Sequence, residues 1–276
     1  MKLKTLKSDN FISSIYVKES YMRLGLVTYN LARNWDLKTI IERCSETGFE
    51  AVELRTTHAH GVEPTLSKEE RRKVRELFES SPVRLLSFGT TCEYHSPDAS
   101  ELRRNIELTK KFVELAADVG ALGVKVRPNR LMEDYGIPRE KTISQIGNAL
   151  KECGKFAEDY GIEIWLEVHG RGTSDLKVIR QIMEIADHTM VGVCWNSNYT
   201  DIVDNSIKKS FELVKDWIKS VHIHELYDEK YPYRELFSLL KSIGYKRYCL
   251  AEIPESTDPV RIMKYYRALW LELIKY

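Results

Sequence analysis

Charge of one sign is what this 276-residue chain most clearly lacks. Forty-two Lys and Arg stand against 41 Asp and Glu, a formal net charge of +1, so no overall field is present to hold a polyanion, which argues against a nucleic-acid partner. No apolar run approaches the roughly 18 residues that a bilayer-spanning helix needs. The opening stretch, MKLKTLKSDNFISSIYVKESY, has no continuous apolar segment of the secretory kind. The five cysteines, Cys44, Cys92, Cys153, Cys194 and Cys249, are odd in number, scattered, and form no C-x-x-C pair, which fits a reducing compartment. These absences predict a cytoplasmic protein without membrane association that acts on a small molecule. No G-x-G-x-x-G or G-x-x-x-x-G-K-[ST] loop follows any apolar run, which disfavours a doubly wound nucleotide-binding fold.

What is present is one phrase, repeated: an amphipathic helix, a glycine, then a short apolar strand. CSETGFEAVEL (44–54), AADVGALGVKV (116–126), AEDYGIEIWLE (157–167) and KSIGYKRYCLAE (241–252) all carry it, with Gly48, Gly120, Gly161 and Gly244 where a helix end calls for a left-handed residue. Candidate strands fall near 23–28, 51–55, 84–90, 122–127, 162–168, 190–196, 220–225 and 247–252. Helical patterns separate them, such as SKEERRKVRELFESS, which opens with a capping box of Ser67 and Glu70. No Pro/Ser-rich linker divides the series. Eight strictly alternating units predict a single (β/α)8 barrel over 22–276, preceded by a short extension at 1–21.

In such a barrel, chemistry collects where strands end. The fifth predicted strand ends at Glu167, the sixth at Asn196, the seventh at His222 and His224, and the eighth at Glu252. Period-two alternation places Glu163, Trp165 and Glu167 on one face, and Leu250 and Glu252 on another. Two carboxylates, an imidazole and an amide oxygen suit one divalent cation, such as Mn, Mg, Co or Zn, with positions left for substrate. Cysteine is absent from the set, which argues against a structural zinc site.

LEVHG, VGVCWNSN, VHIHE and AEIPES, in this order and spacing, resemble the sugar phosphate isomerase/epimerase family of xylose-isomerase-like TIM barrels, and the resemblance runs over about residues 22–275. It implies a metal held by Glu167, Asn196, His222 and Glu252. His222 is preferred to His224 because HIHE matches the family's His-x-Lys/Asn-Asp phrase with its first histidine. Asn196 departs from the family pattern, which has Asp there. The resemblance further implies that Glu167 and Glu252 are catalytic, moving protons on and off the carbon beside a carbonyl.

The first half of the barrel supplies candidate substrate-binding residues. VKVRPN puts Lys125 and Arg127 on one alternate face, donors suited to hydroxyls, phosphate or an oxyanion. RTTHAHG places His58 and His60 after the second strand, and TTCEYHSPD places Glu93 and His95 after the third. His169 follows Glu167 by two residues and lines the pocket or orients that glutamate. Tyr231 and Tyr233 fall in a segment that forms part of a lid or the packed start of a helix, and Trp35 offers a ring to a sugar or to the core.

Together these readings predict a metal-dependent isomerase or epimerase acting on a small carbohydrate, and a homo-oligomer is compatible with them. A sugar lyase or hydratase would use the same first step, and a non-catalytic sugar-binding barrel would use the same pocket. The metal-dependent endonucleases of the same superfamily require Asp followed three residues later by His on the sixth strand. Here those positions are Asn196 and Tyr199.

Overall fold

The computed structural model describes residues 22–275, and the extension expected at 1–21 lies outside the described residues. Eight parallel strands close into a barrel in chain order. They are β1 (Arg23–Val27), β2 (Ala51–Arg55), β3 (Arg84–Glu93), β4 (Gly123–Arg127), β5 (Glu163–Glu167), β6 (Val191–Asn196), β7 (Ile218–Ile223) and β8 (Tyr248–Ala251). Helices α1 (Leu37–Thr47), α2 (Lys68–Glu79), α3 (Ala99–Val119), α4 (Arg139–Glu158), α5 (Leu176–Ala186), α6 (Lys208–Val214), α7 (Tyr233–Ser242) and α8 (Pro259–Leu273) follow the strands one by one. The (β/α)8 expectation holds. β1 closes the ring through Gly25, which lies in register with Ala51 on one side and Leu250 on the other.

The helix boundaries follow local chemistry. Gly48 and Gly120 cap α1 and α3 with φ of 75° and 77°, the left-handed conformation that a side chain resists. The capping box at α2 forms, with the Glu70 amide donating to Ser67 Oγ and the Ser67 amide donating to Glu70 Oε2. One strand runs longer than its apolar pattern. β3 extends to Glu93, which pairs in register with Arg127 of β4 beyond a bulge.

Alternation along the strands sorts side chains into two layers. Val52, Leu54, Val124, Val126, Ile164, Leu166, Val193, Trp195, Val221 and Ile223 face outward into one continuous core beneath the helices. Val27, Ala51, Leu86, Trp165, Cys194, Tyr248 and Leu250 form a separate inner cluster that fills the lumen. Gly123 makes this filling possible, since a Cβ there would stand 2.6 Å from the Trp165 ring. The lumen is thus plugged below the carboxyl ends of the strands. The polar residues one step further along the same inward faces must then meet above the plug.

Candidate metal centre and active site

The inward alternation that buries Trp165 carries Glu167 to the top of β5, and the same parity brings up Asn196 from β6 and His222 from β7. Asn196 and His222 are direct register partners, and Glu252 follows β8 immediately. His222 Nδ1 lies 3.5 Å from Glu167 Oε1 and 3.6 Å from Glu252 Oε2. One ligand atom from each of Glu167, His222 and Glu252 falls within a 4.8 Å span. Asn196 Oδ1 and both His222 ring nitrogens are buried without a hydrogen-bond partner among the described residues. Buried polar atoms left unpaired are costly. Here they converge with two carboxylates, a donor set that fits a divalent cation.

The electrostatics keep both carboxylates ionised. Burial alone would raise Glu167, but Lys125 and His222 outweigh it and hold the carboxyl well below its ordinary range. At Glu252 burial is likewise overcome by the His222 and His224 imidazoles beside it, which hold the carboxyl well below its ordinary range. Burial works against charge on His222, while the Glu53 and Glu167 carboxylates beside it override burial and hold the imidazole above its usual pKa.

The two oxygens of Glu167 divide their partners. Oε1 faces His222, while Oε2 accepts from Lys125 Nζ at 2.7 Å in a pair that is almost wholly buried. Lys125 stays charged because Glu167, and then Glu53, outweigh the burial that opposes its charge.

Above this cluster opens a cavity of about 510 Å³, within the size range of small-molecule sites. Glu167, Asn196 and Glu252 form part of its wall, together with Lys125, Arg127, His169 and His224. Arg127 is pinned by Glu93, whose other oxygen accepts from Asn129 Nδ2 at 2.8 Å. His224 Nε2 lies 3.4 Å from Glu252 Oε2. Burial lowers the pKa of His169, which keeps its imidazole neutral near pH 7.

Two expected contributors stand elsewhere. His58 shares its Nδ1 with Thr28 Oγ1 at 3.1 Å and lines a separate cavity of about 280 Å³. Burial, then repulsion from His60 and Arg55, pushes its pKa down to about 4. His95 turns to Glu93, 3.8 Å away, and is not among the residues lining the larger cavity. The chain folds both loops onto their own strand ends. His60 is held by the Arg55 carbonyl and the Val62 amide, at 2.7 and 3.0 Å.

The aromatic candidates are packing residues. Tyr231 accepts from Trp195 Nε1 at 3.0 Å and donates to buried Asp201 at 2.9 Å. Tyr233 Oη accepts from the His224 amide, and Trp35 packs on the outer core.

Tyr29, Arg55, Asn198 and Pro254 also line the larger cavity, unannounced by any pattern. Glu53 is the more telling omission. It sits fully buried in the lumen, 3.3 Å from His222 Nε2. Its one local signal is a carboxylate in the middle of the apolar strand AVELR.

A family model described as a xylose isomerase-like TIM barrel matches residues 41–272. Inosose isomerase of Bacillus velezensis is 22% identical over 190 residues, 68% of this chain and 66% of that protein, so the match spans just under two thirds of the relative. A crystal structure of the IolI protein with a bound zinc atom superposes with a TM-score of 0.76 at 19% identity, over 92% of this chain and 98% of that one. The 3-keto-D-glucoside 4-epimerase YcjR of E. coli gives 0.75 at 16% identity, over 91% and 99%. The D-psicose 3-epimerase of Clostridium cellulolyticum H10 gives 0.72 at 16%, over 92% and 99%. No helix among the described residues is long and apolar enough to cross a membrane.

Proposed function

The chain belongs to the xylose isomerase-like TIM barrel family, and from that premise we propose that it is a divalent-metal-dependent isomerase or epimerase of a small keto-sugar. The observation that carries this reading is the meeting of Glu167, His222 and Glu252 within 4.8 Å beside an unpartnered Asn196 oxygen. The names of its relatives, an inosose isomerase and several sugar epimerases, support the substrate class. The zinc in the IolI protein supports a divalent metal.

Glu167, Asn196, His222 and Glu252 are the residues that would hold the ion. Bound there, a divalent cation polarises the substrate carbonyl and acidifies the neighbouring C–H. The chain supplies the rest. Glu167 and Glu252 come from β5 and from the end of β8 and approach the cavity from different strands. One removes the proton and the other returns it to the opposite face, through an enediolate. Lys125, on the far oxygen of Glu167, fixes that carboxylate's rotation and leaves Oε1 free for the site. Arg127, His169 and His224 present nitrogen atoms to the substrate's hydroxyls.

The test is to reconstitute the protein with Mn²⁺ and incubate it in D2O with inosose, a 3-keto-D-glucoside and D-psicose. Deuterium should enter the carbon next to the carbonyl of at least one of them, seen by NMR, and chelation should stop it. Turnover of a keto-sugar without any exchange from solvent, or exchange indifferent to the chelator, contradicts the proposal.

A further inference from the structure

A carboxylate buried in the barrel lumen requires an explanation, because an unpaired one costs several kcal/mol. Glu53 is such a group. It is fully buried on the inward face of β2, below the cavity and outside its lining. Its placement is built by three strands. Ser87 Oγ of β3 donates to Oε2 at 2.8 Å. Gly89, two residues on, makes room, since a Cβ there would stand 2.7 Å from Glu53 Oε1. Oε1 itself has no hydrogen bond among the described residues and lies across the lumen, 3.3 Å from His222 Nε2 of β7.

His222 thereby has its two nitrogens assigned. Nε2 faces Glu53, and Nδ1 faces Glu167 and Glu252 at 3.5 and 3.6 Å. A histidine ligates a cation through a nitrogen that carries no proton, so ligation by Nδ1 requires the proton on Nε2. A carboxylate opposite Nε2 favours that tautomer, fixes the ring plane and makes Nδ1 more electron-rich.

We propose that Glu53 is a positioning residue that holds His222 in the Nε2–H tautomer with Nδ1 turned to the cation. The inference rests on the proposed metal site, and Glu53 touches neither substrate nor ion. Its charge helps keep Lys125 protonated and adds a buried negative charge beside a site where Asn196 is a neutral amide. Ser87 and Gly89 enter as the residues that hold and admit Glu53.

The experiment compares apo-protein of the wild type with Glu53→Gln, Glu53→Ala and Ser87→Ala, titrated with Zn²⁺ by calorimetry, with folding checked by circular dichroism and thermal melts. Gln keeps the shape and an acceptor for Nε2–H but removes the charge. Zinc affinity should fall about tenfold in Glu53→Gln and about a hundredfold in Glu53→Ala, with a smaller loss in Ser87→Ala. Two-bond ¹H–¹⁵N spectra of the zinc-loaded protein report the tautomer: His222 should show Nε2–H in the wild type and a mixed or altered pattern in Glu53→Ala. Equal zinc affinity in folded wild type, Glu53→Gln and Glu53→Ala overturns the proposal, as does an Nδ1–H tautomer in the loaded wild type. A wild type that binds no divalent ion instead overturns the metal site itself.

Discussion

Replacing Lys125 with methionine removes the ammonium that faces Glu167 Oε2 at 2.7 Å. The stem length is nearly kept, so the change is electrostatic. At an effective dielectric constant of about 20, opposite charges at this separation attract by roughly 6 kcal/mol. Most of that is offset by the desolvation of both groups, and removing one partner of a buried pair typically costs about 3–5 kcal/mol. Glu167 retains His222 on its other oxygen, so the lower end, about 3 kcal/mol, is expected for the apo-protein. A bound cation works against this loss. It neutralises the stranded carboxylate and no longer shares the site with an ammonium, so Lys125→Met should bind metal at least tenfold more tightly than the wild type. The assay is urea unfolding of both proteins, apo and saturated with Mn²⁺, with unchanged m-values and a calorimetric titration alongside. Metal should restore about half of the lost stability or more, because a tenfold gain in affinity adds about 1.4 kcal/mol at saturation. An equal stability loss with and without metal, or weaker metal binding in the variant, would refute this division of Glu167 between Lys125 and the ion.

Glu167→Gln and Glu252→Gln should each lower turnover by a factor on the order of a hundred or more while the barrel stays folded, as loss of a positioned acid/base group does, with Glu167→Gln melting lower because it strands the buried Lys125; steady-state rates and circular dichroism check both halves. Asn196→Asp should bind metal more tightly than wild type and Asn196→Ala less tightly, since an added charge beside a cation is worth at least about 1 kcal/mol even when screened; three equal calorimetric affinities would remove Asn196 from the ligand set. Burial pushes the Asp201 carboxyl up to about 8, against hydrogen bonds from Tyr231 and the Asn198 amide that favour its charged form. The folded chain therefore holds a proton that the unfolded chain releases near pH 4, so stability falls as pH rises from about 4 to about 8 and then levels. Urea midpoints across that range should show a slope in the wild type that Asp201→Asn removes.

The barrel was legible because its signals are local. Gly48 and Gly120 end helices in a conformation that a side chain resists, and strict alternation assigns Trp165 and Glu167 to one face without knowledge of the partner strands. The same parity delivers Glu167, Asn196, His222 and Glu252, all at or next to the ends of consecutive strands. The loops were less legible. His58 and His95 occupy the right end of the barrel, yet where a loop imidazole turns depends on Thr28 and on Glu93, which no spacing encodes. The spacing points Lys125 at substrate, and it lines the cavity while also being tied to Glu167. Glu53 carries no pattern that points to the site, because its partner, His222, lies on a strand five positions away in chain order. Only barrel closure brings the two together.

The most direct test of the account is a crystal structure of the protein grown or soaked with Mn²⁺, with anomalous scattering recorded at the manganese edge. The account predicts one strong site per chain, with Glu167 Oε1, Asn196 Oδ1, His222 Nδ1 and Glu252 Oε2 all within about 2.5 Å of it, a usual reach for oxygen and nitrogen ligands. An ion bound at any other place, or four ordered side chains with no ion between them at saturating Mn²⁺, would contradict it.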